Sequence, residues 1–63
     1  MTEQETLDVK NAIDGKLSDT YEELEATLAL LEIAKKAATD HGRFKRVDMA
    51  ADKVKVKMST LKA

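Results

Sequence analysis

A lone histidine, a cluster of carboxylates and a late run of cations are the residues of this chain best equipped for chemistry. Their spacing decides whether they can act together. Asp14-Gly15 invites a calcium-loop reading. With Gly15 in the loop's glycine place, however, Lys10 would hold the first ligand position and Tyr21 the last. Neither supplies the carboxylate oxygens that calcium takes. His41 has no cysteine to partner it, and Ser18 and Ser59 lie far away in sequence, so it reads as a turn residue and not as a base. Glu22, Glu23 and Glu25 read as a solvated face and the first turn of a helix, where the helix dipole favours negative charge. A hydrolytic carboxylate pair needs a cleft, which a chain of 63 residues can hardly enclose. Two isolated glycines cannot form a phosphate-cradling loop. No catalytic activity, metal or cofactor is expected.

The cations are unevenly placed. Residues 1–42 carry ten acidic and four basic side chains, a net of −6, and residues 43–63 carry seven basic and two acidic, a net of +5. Arg43, Lys45, Arg46, Lys53 and Lys57 could neutralise phosphates of a nucleic acid. On a helical wheel, however, the cations flank an apolar seam on both sides, as they do in a packed bundle. Phe44 is the one aromatic among them, and it lies on the seam, which leaves little for base stacking. The favoured reading is that acidic and basic segments pack on each other. Nucleic-acid contact is the alternative. A third reading places a small anionic ligand, such as a nucleotide, between subunits at Arg43, Lys45 or Arg46.

The elements that would position these groups read as helices. There is no proline, there are two glycines, and alanine, leucine, lysine and glutamate are plentiful. Thr2 to Glu5 has the spacing of a capping box and predicts a helix over about 3–14. Asp19 with Glu22, and Thr20 with Glu23, repeat that spacing and predict a second helix over about 19–40. A break or kink near 15–18, where Gly15 suits a helix end, is favoured over the alternative of one continuous helix. The unslipped spacing of Ile13, Leu17, Tyr21, Leu24, Leu28 and Leu31 also allows that alternative. Gly42 is expected in the left-handed position of a turn at 40–42, with His41 beside it, and a third helix follows over 43–62. The alternation from Lys53 to Met58 imitates a strand. The longer pattern of Phe44, Val47, Ala51, Val54, Met58 and Leu61 holds a heptad seam instead, so helix is expected there. No apolar run is long enough to span a bilayer, and the acidic start is unlike a secretory signal. A single cytoplasmic domain over 1–63, with no membrane partner, is the expectation.

The second helix carries two apolar stripes. Leu24, Leu28 and Leu31 should pack on Phe44, Val47, Ala51 and Val54 across a short turn. Ala26, Leu30, Ile33 and Ala37 point elsewhere, and Met49 and Val56 lie off the seam of the third helix. A helix that is apolar on two sides is buried on two sides. These six residues are therefore expected at an interface, unless Leu7 and Val9 of the N-terminal segment cover the second stripe. A chain of this size gains from association, because its own core is small.

Length, helix–turn–helix layout and the opening MTEQE resemble the Rop family of plasmid RNA-binding hairpins. That resemblance implies dimerisation into a four-helix bundle and RNA contact along 43–62. The turn here lies past the middle of the chain, so the likeness is architectural and assigns no family. The fold class expected is all-α: a helical hairpin with an N-terminal helical arm, forming an oligomeric bundle of coiled-coil type. The expected function is that of a small regulatory protein, a non-catalytic interaction module that binds its own copies or a larger protein target.

Overall fold

The computed structural model describes residues 2–62, and its first helix opens on the predicted capping box. Thr2 Oγ1 accepts from the Glu5 backbone N–H at 3.2 Å, and the Glu5 carboxylate accepts from the Thr2 N–H at 2.9 Å. The Thr2 hydrogen bonds hold the Glu5 carboxyl below its usual pKa. Helix α1 runs from Glu3 to Ile13. It closes as a Schellman motif: the Gly15 N–H reaches Ala12 O at 3.1 Å and the Lys16 N–H reaches Asn11 O at 2.7 Å. That geometry requires a left-handed residue, which is Gly15 at φ 84°.

Residues 14–20 connect α1 to α2, which spans Tyr21–Ala37. Neither predicted capping pair forms at its start, since Thr20 makes no side-chain cap. Ser18 acts instead: its hydroxyl donates to the Glu23 carboxylate and accepts the Thr20 N–H. Glu22 and Glu23 in the first turn, with Lys35 and Lys36 in the last, complement the helix dipole.

The expected turn at 40–42 is corrected. Helix α2 ends at Ala37, three residues early, where Ala38 turns extended at ψ 124°. Helix α3 then spans His41–Lys62, so His41 and Gly42 lie inside its first turn. Gly42 does not take the left-handed conformation; Gly15 is the glycine that does. Asp40 is the reason. Its carboxylate accepts from the Arg43 N–H at 3.2 Å and its carbonyl from the Phe44 N–H at 2.9 Å, which makes it the N-cap. His41 thus stands at a helix start, not in the turn expected for it. The alternation at 53–58 is helical, as the heptad seam predicted.

The fold is all-helical among the described residues. Helices α2 and α3 make the largest contact, and α1 lies against both. Leu24 and Leu31 of α2 are fully buried with Val47, Ala50, Ala51 and Val54 of α3 and Ala12 of α1. Three of these seven are alanines, which let helix axes approach closely but bury little area. Val9, Ile13, Leu17, Leu28, Ala34 and Met58 are partly buried around them. Phe44 and Leu61, at the two ends of the predicted seam, remain 37% and 43% exposed. The Cα radius of gyration is 11.0 Å, close to the value of about 10.6 Å typical of a chain this long.

Candidate functional site

At 100° per residue, Ile33 lies half a turn around α2 from buried Leu24. It is 58% exposed, and Ala26 and Ala37 on the same side are exposed as well. Leu30 is half-buried. The N-terminal helix leaves Ile33 uncovered but borders the stripe: Ala26 and Ala37 line grooves with residues of α1, Val9 packs toward the core, and Leu7 is 48% exposed. On α3 the same geometry leaves Met49 and Val56 outward, 53% and 67% exposed. Five of the six apolar residues singled out in sequence are thus exposed, on one side of each of the longer helices, and Leu30 is half-buried at the edge of the α2 stripe.

Of the five cations singled out, the structure brings three together. Lys45, Arg46 and Lys53 are exposed on α3, around Met49 and Val56. Arg43 stands apart, over a groove of about 540 Å³ floored by Val9, Ile13 and Ala34. Lys57 is engaged within the chain, donating to Asp19 Oδ1 at 2.9 Å and to the Leu17 carbonyl at 3.4 Å. It ties the α1–α2 connection to α3. Asp48 and Asp52 interrupt the cationic surface, so α3 carries no continuous basic stripe.

The charge segments do pack on each other, but not only in the expected sense. Lys57–Asp19 and Lys55–Glu32, the latter at 3.9 Å, join the basic half to the acidic half. The shortest pair runs the other way: Lys35 of α2 meets Asp48 of α3 at 2.8 Å. Its hydrogen bond raises the Lys35 pKa and lowers that of Asp48. The Lys35 ammonium also sits 5.4 Å from the centre of the Phe44 ring, partly shielding it. Sequence gave no sign of this trio, since each charge belongs to a segment of opposite net sign. Ala12 and Ala50 were missed as core residues too; the signal available was their place one helical turn from larger apolar residues, Val9 and Val47 respectively.

Among the described residues, no three His, Cys, Asp or Glu side chains converge to hold a metal ion. Nor is any helix there long and apolar enough to cross a membrane. What the geometry offers is two outward faces, one flanked by glutamates and one by lysine and arginine. Compared with protein-family models, with curated proteins and with solved structures, the chain has no match.

Proposed function

We propose that this chain is a non-catalytic interaction module, a helical hairpin of α2 and α3 backed by α1, that works as a homo-oligomer in the cytoplasm. An adaptor, inhibitor or assembly factor acts in this way, by occupying a surface. One observation carries the reading: Ile33, Met49 and Val56 are more than half exposed on helices whose opposite faces already form the core. A surface helix normally spends its apolar residues on one face.

The surface area supports it. A compact monomer of 7.0 kDa exposes about 4,040 Å², and this chain exposes 4618 Å². The nucleic-acid reading has weaker support, because Lys57 is committed internally and Asp48 and Asp52 break the cationic surface.

The test is mass against concentration. The melting temperature of the wild type should rise from micromolar to millimolar protein, and light scattering should give more than the 7.0 kDa of one chain. Replacing Leu30 and Ile33 together by Glu would bury charge in the interface and should prevent assembly while leaving helicity. Overlaid melting curves and a single-chain mass would refute the reading.

A further inference from the structure

Helices α2 and α3 share much of one apolar pattern, and their charges are opposite at three of the four positions where both are charged. Residues 21–37 align with residues 44–60 without a gap: Tyr21 with Phe44, Leu24 with Val47, Leu31 with Val54 and Ile33 with Val56. Exposure follows the alignment closely. Tyr21 and Phe44 are 39% and 37% exposed, Leu24 and Val47 0% and 1%, and Ile33 and Val56 58% and 67%. The two helices thus hold equivalent places on either side of their shared seam. Glu22 and Glu23 align with Lys45 and Arg46, and Glu32 with Lys55; Glu25 with Asp48 breaks the charge pattern, and Leu30 with Lys53, Ala34 with Lys57 and Lys35 with Met58 break the apolar one.

We propose that the outward face of α2 in one copy docks on the outward face of α3 in the next, so that the chain assembles head to tail. This rests on the self-associating reading above and names its geometry. Ala26 and Ile33 are seven residues apart, as are Met49 and Val56. Both pairs therefore sit about 10 Å apart along their helices. In parallel alignment the long Met49 meets the small Ala26, and Val56 meets Ile33. The same alignment sets Glu22 and Glu23 beside Lys45 and Arg46. Pairing like faces would instead bring together surfaces of the same net sign, a repulsive arrangement. Contact between two different faces leaves one of each open at the ends, so assembly closes as a ring or grows as a filament, and a twofold dimer does not satisfy it.

Blocking one face at a time tests this. Ile33→Lys closes the α2 face and Val56→Lys closes the α3 face, and both side chains are exposed, so the core is untouched. Each variant alone should scatter as a single chain. Mixed in equal amounts they should form a dimer of twice 7.0 kDa and stop there, because each chain retains one working face. Circular dichroism checks the fold, and serine variants replace any lysine variant that loses helicity. If Val56→Lys alone keeps the wild-type mass, α2 pairs with α2 and the proposal fails; the same result for Ile33→Lys alone means α3 with α3 and fails it equally. A mixture that stays at the single-chain mass also overturns it. A wild type that remains a single chain at millimolar concentration overturns the self-association reading itself.

Discussion

Exchanging each glycine for alanine should move stability in opposite directions. At Gly15 the backbone is left-handed at φ 84°, and an added Cβ would meet nothing within 4 Å. The penalty is thus torsional alone, about 1–2 kcal/mol for an L-residue in that region. Alanine also stiffens the unfolded chain, which returns about 0.4–1 kcal/mol, so the net loss is about 1 kcal/mol. At Gly42 the residue is helical, and an added Cβ would lie 3.4 Å from an Asp40 carboxylate oxygen, close to ordinary contact. Replacing a helical glycine by alanine gains up to about 1 kcal/mol, and roughly half of that is expected in a first turn. For a domain of this size 1 kcal/mol is about 4–8 °C in melting temperature. Circular dichroism melts at one fixed protein concentration should place Gly15→Ala several degrees below the wild type and Gly42→Ala a few degrees above it. Gly15→Asn should fall between Gly15→Ala and the wild type, because asparagine tolerates the left-handed region. If Gly42→Ala melts as low as Gly15→Ala, then Gly42 is not helical and Asp40 is not the cap of α3.

Truncating the two faces of α2 should give unequal losses at dilutions where the chain is single. Leu31→Ala removes a fully buried side chain and should cost about 2–5 kcal/mol, most of the stability of a domain this small, whereas Ile33→Ala should cost under about 1 kcal/mol. Equal losses in urea titrations would mean that α1 covers the outward stripe. The Lys35–Asp48 pair gives stability a pH dependence with two edges. Asp48 has a depressed pKa in the folded chain, so its contribution is present above the unfolded value of about 3.9 and is lost as pH falls through the folded one. Lys35 has a raised pKa, so its contribution is present below the unfolded value of about 10.4 and is lost as pH rises through the folded one. Both groups are solvent-accessible, so the effect should be small and should shrink with salt; Asp48→Asn should flatten the dependence at both edges, and an unaltered profile would show that the pair contributes nothing.

Much of the local structure was legible in the residues themselves because it depends on neighbours three to five positions apart. The Thr2 capping box and the Gly15 helix end are interactions of that range and need no other part of the chain to form. The spacing of the seam over 44–61 falls within the same range, although the seam is held helical by packing on α2. The two outward stripes were legible for the same reason, since helical spacing alone sets which side chains share a face. The choice between glycines was not. Both stood after a helical pattern, and the difference came from Asp40, whose carboxylate starts α3 before Gly42 can end α2. Pairings between distant residues lay further out of reach. Lys57 reaches Asp19 across 38 positions and Lys35 reaches Asp48 against the trend of the charge segments. Where α1 rests was equally hidden: only packing shows Ala12 buried and Leu7 left outside. Helical period says which residues face the same way, but what they face depends on how the connections let three helices meet. That is why the apolar stripes could be read in the sequence, while the burial of one and the exposure of the other were decided by the tertiary structure.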